Sequence, residues 1–303
     1  MLGQWAHNDL SDKVIIDTTL DAALLRDREV LVDGKPTGIR IETDQRLISH
    51  SDGWVLSASI DGDLTLQFIA DKNMVEKFHL SKTIATASVK DDVLAVLFAD
   101  NEMALYSIAS KKLLLKEPGI APKIVNAKIV KPYFMNDLVL FLTLDGKIVI
   151  VSVTQKKKLR SIIVSSQDNF NNIISFDVVE DKLIAFTGTK LLSFAQKEIR
   201  VKYEIRNAIY EKSNIIYITT KQGELISLTP ELQVIAKVKF PFAHFLGLIS
   251  YKDKIYALEK EGYLIELSKN LLTYKVYEVD VDDGFVYVTD KIFYVGDQYI
   301  SVE

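Results

Sequence analysis

Residues 138–153 read LVLFLTLDGKIVIVSV, two apolar runs of strand length that meet at Asp145-Gly146. Short runs rich in Val, Ile, Leu and Phe, joined by an acid and a glycine, are the pattern of a β-hairpin. A two-residue hairpin turn requires positive φ, which glycine adopts freely. The pattern recurs at Asp61-Gly62 between VLSASI and LTLQF, at Gln222-Gly223 between NIIYITT and ELISL, and at Glu261-Gly262 between KIYALEK and YLIEL. Weaker copies stand at Asn101, Gly188 and Gly296, and Arg28 takes the corresponding place between AALL and VLV. Arginine suits positive φ poorly, so a turn of different shape is expected there.

From Arg28 to Gly296 the eight anchors are spaced by 34, 39, 45, 42, 35, 39 and 34 residues, and the two chain ends together supply a further 35. Between Gly223 and Gly262 the interval holds four strand-like runs, ELISL, LQVIAKVKF, HFLGLIS and KIYALE, and the other intervals follow suit. No stretch keeps the i, i+3, i+4, i+7 pattern of an amphipathic helix for three turns. A period of about 38 residues with four strands per repeat is a propeller blade. The expectation is an all-β chain in which residues 1–303 form a single β-propeller domain of eight four-stranded blades, with seven as the alternative. Runs that are apolar on both faces, such as LAVLFA, fit strands sandwiched between neighbouring blades, and polar runs such as KNMVEKFHL fit the rim. Both termini are expected to close the ring. GFVYVTD, KIFYVG and QYISVE give three strands of the last blade, and a segment within residues 1–18 gives the fourth.

Composition excludes several functions. With 37 basic and 41 acidic residues and a net charge of −4, the chain has no field that gathers nucleic acid. The absence of cysteine excludes disulfides, thiolate nucleophiles and cysteine-ligated metals, and fits the cytosol and the bacterial periplasm alike. The longest apolar runs are strand-sized, well short of the roughly 18 residues of a membrane helix. MLGQWAHNDLSDK lacks the basic start and apolar core of a signal peptide.

The repeat skeleton is an apolar strand, an acidic or amide residue, Gly, and then a strand of the form x-L-x-x-L. It reads DGDLTLQF from Asp61, DGKIVIVSV from Asp145, QGELISL from Gln222 and EGYLIEL from Glu261. Over nearly the whole chain this resembles the degenerate WD40-like and PQQ-like repeats of bacterial β-propellers. No blade carries the Trp-Asp or Gly-His pairs of a true WD40 repeat. Trp5 and Trp54 are the only tryptophans, so the tryptophans that staple quinoprotein blades are missing and quinone binding is not expected. The Lys- and Ile-rich, cysteine-free text is similar to periplasmic propellers from AT-rich bacteria, the NapL-type accessory proteins of periplasmic nitrate reduction among them. That resemblance implies a periplasmic accessory protein.

No G-x-S-x-G elbow, P-loop or G-x-G-x-x-G occurs, so no catalytic residue and no cofactor site is assigned. His7, His50, His79 and His244 lie at least 29 residues apart in sequence and read as surface or loop residues rather than metal ligands. In EVDVDDG, residues 278–284, Glu278, Asp280 and Asp282 would line one face of a strand, which invites calcium. Thr289, however, stands where a twelve-residue calcium loop needs a bidentate Glu, so no metal is assigned. Lys156, Lys157, Lys158 and Arg160 read as a solvated hairpin tip, with an acidic partner as the alternative.

The longest intervals contain residues 117–137 and 165–172, which read as elaborated loops, where propellers tend to carry function. Aromatic clusters stand in two expected loops, one around Pro132 and one around Pro241. Tyr133, Phe134, Met135, Phe242 and Phe245 are therefore the candidate partner-binding residues, with packing between blades as the other reading. The expected function is a non-catalytic scaffold that binds protein partners, a bacterial periplasmic accessory or assembly protein. An enzyme or small-ligand binder using the central funnel, and an intracellular WD40-type adaptor, are the alternatives.

Overall fold

The computed structural model describes residues 2–10 and 13–303. Every regular element among them is a β-strand, and the strands form eight sheets. The chain packs as two compact units, one of residues 17–174 and the other of residues 1–16 with 175–303.

Four sheets belong to the unit 17–174, the leading strand of the first beginning two residues before it. In order from leading to trailing strand, the first sheet runs Ile15–Thr18, Ala22–Leu25, Glu29–Val32 and Lys35–Arg40. The second runs Arg46–Ser51, Trp54–Ala58, Asp63–Phe68 and Val75–His79. The third runs Ile84–Lys90, Val93–Phe98, Met103–Ser107 and Leu113–Glu117, and the fourth Tyr133–Met135, Leu138–Leu142, Lys147–Ser152 and Lys157–Ile163.

The other unit holds the remaining four. The fifth sheet runs Ser175–Val179, Lys182–Phe186, Lys190–Phe194 and Glu198–Lys202. The sixth runs Ile205–Tyr210, Ile216–Thr220, Glu224–Leu228 and Val234–Lys239, and the seventh Phe245–Tyr251, Lys254–Glu259, Tyr263–Ser268 and Tyr274–Glu278. Val286–Val288, Ile292–Val295 and Gln298–Ser301 make three strands of the eighth sheet, and Asn8–Asp9 completes it as the fourth, antiparallel to Gln298–Ser301. Eight sheets of four blade strands each, the seventh extended by Gly3–Gln4 as a fifth and the last shared by both ends of the chain, are an eight-bladed β-propeller, not a seven-bladed one.

Strand alternation explains the burial. In Val93–Phe98, Leu94, Val96 and Phe98 pack against Leu56, Leu64 and Leu66 of the second sheet. Ala95 and Leu97 point the other way, onto Val139, Phe141, Val149 and Val151 of the fourth. A strand covered on both faces has no position for a polar side chain, hence the unbroken apolar run. Leading strands of the second and third sheets touch one another, as do those of the fifth through eighth, and form the inner edge. Their serines lace them together: Ser49 Oγ donates to the Ala87 carbonyl at 2.6 Å, Ser51 Oγ to Val89 at 2.8 Å and Ser88 Oγ to Pro132 at 2.6 Å.

The anchor turns are longer than the two-residue form that the sequence suggests. The Arg28 N–H donates to the Leu25 carbonyl at 2.8 Å, and Asn101, Gly223 and Gly262 repeat this to Phe98, Thr220 and Glu259 at 2.9, 3.1 and 3.2 Å. Each is a four-residue turn closed by a left-handed residue. Arg28 takes the same shape as the others, with φ of 71°, identical to that of Asn101. Its guanidinium holds it there by donating to the Ile41, Glu42 and Gln45 carbonyls. At Gly188 the turn is organised by Thr187, whose Oγ1 accepts from the Lys190 N–H at 3.0 Å. Gly188-Thr189 and Gly296-Asp297 are the expected two-residue turns, with the Thr187 N–H donating to the Lys190 carbonyl at 2.8 Å and Val295 paired to Gln298.

Candidate interaction surface

In the unit containing residues 175–303, the connection from Val234–Lys239 to Phe245–Tyr251 is a tight turn. The Phe240 N–H donates to the Gly223 carbonyl at 2.8 Å, and the Ala243 N–H returns to the Phe240 carbonyl at 3.1 Å. Gly223 permits this approach, since a Cβ there would lie 2.2 Å from the Phe240 oxygen. Pro241 occupies the second position and Phe242 the third, where φ is 67°. This is a type II arrangement, which calls for glycine at the third position. The sequence places phenylalanine there instead. Its side chain is 101% exposed.

The residues beneath hold the turn rigid. Phe240 meets Phe245 and Tyr274 edge-on at 6.4 and 5.0 Å. Phe245, expected at the surface, is 2% exposed and belongs to the core with Tyr217 and Leu225, so it presents no face to a partner. Glu259 accepts from the His244 N–H at 2.9 Å, and Arg206 Nη1 lies 3.0 Å from His244 Nε2.

Burial, then the charges of Arg206 and Lys260, hold His244 below its ordinary value near 6.5. Burial, with Lys131, does the same to His50. Both bind a proton less readily in the folded protein than in the unfolded chain, so stability is fully present above about pH 6.5 and is lost as pH falls below it. Thermal melts should fall between pH 6.5 and 5, and His244→Gln should flatten part of that slope. An identical slope in the variant excludes His244 as a cause.

In the unit 17–174, Tyr133, Phe134 and Met135 form a strand rather than a loop, the leading strand of the fourth sheet. Phe134 packs into the cluster of the third and fourth sheets, and Tyr133 remains 37% exposed. The long connections do lie outside the sheets, locked to one another. The Phe170 N–H donates to the Ile124 carbonyl at 2.9 Å, and the Asn126 N–H to Asn172 Oδ1 at 2.7 Å. Ile120, Ile124 and Phe170 are left exposed, and Phe170, like Phe242, has positive φ, at 52°. A lone aromatic in SSQDNFNN carried no signal in the sequence. The two aromatic clusters belong to different units.

The charged groups knit sheets together. Ser250 and Lys269 of the seventh sheet both donate to Glu211 at the end of Ile205–Tyr210. Burial pushes Glu211 up, but these bonds and one from Ser213 outweigh it and hold the carboxyl below its usual range. Lys269 also donates to Ser250 Oγ, so the three side chains form one ion-paired node between the sixth and seventh sheets. Glu278 ends a strand, and Asp280 and Asp282 follow it outside the sheet. Burial and the neighbouring Asp297 and Asp280 raise the Asp282 carboxyl. Among the described residues no three His, Cys, Asp or Glu converge as metal ligands, and no helix is long and apolar enough to cross a membrane.

No family model matches the chain. It is 33% identical over 236 residues, 73% of its length, to the plasminogen-binding protein PgbB of Helicobacter pylori, and 32% identical to that of a second strain. The chain spans 42% of the length of these relatives. Among solved structures, BamB from Moraxella catarrhalis superposes with a TM-score of 0.72 at 12% identity, covering 99% of this chain and 98% of that one. The C-terminal WD40 domain of Sif2 gives 0.69 at 9% identity, over 100% and 99%. The fold is that of the BamB and WD40 propellers.

Proposed function

We propose that the protein is a non-catalytic β-propeller scaffold that binds protein partners, with Phe242 as an anchor. The supporting observation is that Phe242 combines a backbone cost with full exposure. A left-handed residue with a Cβ costs about 1–2 kcal/mol, and glycine would remove that cost. A fully exposed ring contributes nothing to the fold, whereas covering it with a partner contributes about 1.5–3 kcal/mol. Strain retained beside an exposed aromatic is a mark of function rather than of stability. Tyr133, with Met135 beside it, is proposed as a smaller contact, and Phe245 supports the Phe242 turn from below. The likeness to PgbB supports a protein as the partner and makes plasminogen the first to test. The bacterial relatives and the resemblance to NapL-type proteins support a periplasmic accessory role, which cell fractionation checks.

The decisive variant is Phe242→Gly. It relieves the backbone, so the melting temperature should hold or rise slightly, while binding to immobilised plasminogen, or to partners captured from the native cell, should weaken about tenfold or more. Unchanged binding, or a collapsed melt, would sink the assignment.

A further inference from the structure

The outer strands of the sheets differ in how they are protected. In the first, third, fourth and sixth sheets the pairing of the outer strand shifts register. Such a bulge bends an edge away from further pairing. In the second, fifth and seventh sheets the outer pairing is unbroken. The chain itself covers the seventh edge, where Gly3–Gln4 adds in parallel beside Tyr277 and Glu278. The fifth sheet ends at Glu198–Lys202, and among the described residues no strand lies beyond it.

That strand reads EIRVK and is complementary to itself. If two copies pair antiparallel about Arg200, each Glu198 faces the other's Lys202, and each Ile199 faces a Val201. Glu198, Arg200 and Lys202 share the exposed face, and Ile199 and Val201 the half-buried one. The two arginines meet at the centre, but each is held by its own Glu198 at 2.9 Å, which offsets the like-charge contact. The open edge of the second sheet, VEKFH, has no such match, because pairing about Lys77 sets Glu76 against Phe78. We propose that Glu198–Lys202 is a self-association edge, through which two copies join across a twofold axis into one continuous sheet. A contact this short gives a concentration-dependent dimer. The proposal stands apart from the role of Phe242.

Sedimentation velocity over a concentration series tests it. The wild-type protein should shift from monomer to dimer. Glu198→Lys and Lys202→Glu each set like charges opposite one another, and each should raise the dimer dissociation constant about tenfold or more. An equimolar mixture of the two variants restores both opposite-charge pairs and should dimerise again, with circular dichroism confirming that each is folded. A wild-type protein that stays monomeric throughout, a dimer indifferent to Lys202→Glu, or a mixture of folded variants that remains monomeric would each overturn the proposal.

Discussion

Removing residues 1–10 is expected to lower the melting temperature by roughly 10 °C or more. These residues tie the seventh and eighth sheets together. The Trp5 N–H donates to the Glu278 carbonyl at 3.0 Å and the Leu10 N–H to Asp297 at 2.6 Å, while Asn8 and Asp9 pair with Tyr299 and Gln298. The Trp5 indole donates to the Ser301 carbonyl at 2.8 Å and stands edge-on to Tyr277 and Tyr256 at 4.8 and 6.0 Å. Each backbone bond contributes about 0.5–1.5 kcal/mol net, and each ring contact a similar amount. Their sum of about 4–6 kcal/mol corresponds to some 2–4 °C per kcal/mol in a chain of this size. The truncation also bares the Gln298–Ser301 edge, so aggregation should rise with the loss of stability. A truncated protein that melts with the full one would show that the eighth sheet holds without its N-terminal strand.

Asn101 should be the most sensitive single polar residue. It is 1% exposed, with φ of 71°. Its Oδ1 accepts from the Leu144 N–H at 2.9 Å, and its Nδ2 donates to Asp145 Oδ1 at 2.8 Å and to the Ile120 carbonyl at 3.2 Å. Burial pushes Asp145 up, but bonds from Thr143, Lys147 and Asn101 together hold its carboxyl below the usual range. Asn101→Gly keeps the left-handed backbone and forfeits the side-chain bonds, for a loss of about 2–3 kcal/mol. Asn101→Ala adds about 1 kcal/mol for the backbone. Asn101→Asp keeps the bond to Leu144 but sets a second carboxylate against Asp145, and should be the worst near neutral pH. Denaturant melts should rank the three Gly, Ala, Asp in falling stability. An Asp variant as stable as the wild type would remove Asn101 from this network.

What the sequence made legible was local. Turn residues such as Asp145-Gly146 and the alternation of VLAVLF announce hairpins within a few residues of themselves, and eight repeats of them mark out the sheets. Contacts that span a whole repeat left no such trace. Ser49, Ser51 and Ser88 look like surface residues, yet they are buried because they satisfy carbonyls of the next leading strand, 38 residues on for Ser49 and Ser51 and 44 for Ser88. Asn172 answers Asn126 across 46 residues. Pro132 made residues 131–137 look like a loop, because it lacks an N–H for a ladder. An inner-edge strand needs only one paired neighbour, and the Pro132 carbonyl is taken by Ser88, so three residues suffice. Phe245 was misplaced because Pro, His and Phe in succession resemble a loop until the turn at Phe240–Ala243 is known to end before it.

The pairing of Asn8 with Tyr299 also sets a timetable. At roughly 5–20 residues per second, the N-terminal strap leaves the ribosome tens of seconds before its partner strand exists. Until then Trp5 has no Tyr277 to rest on, and the strap has no sheet to join. The four consecutive strands of every other blade lie within about 40 residues of one another and pair on local contacts, whereas this one must close a loop nearly the length of the chain, which costs entropy that grows only slowly with length but must be met all at once. Newly made molecules should therefore spend a window with seven sheets formed and one edge open. In that window, more than in the finished protein, a chaperone or a neighbouring chain meets an unpaired strand.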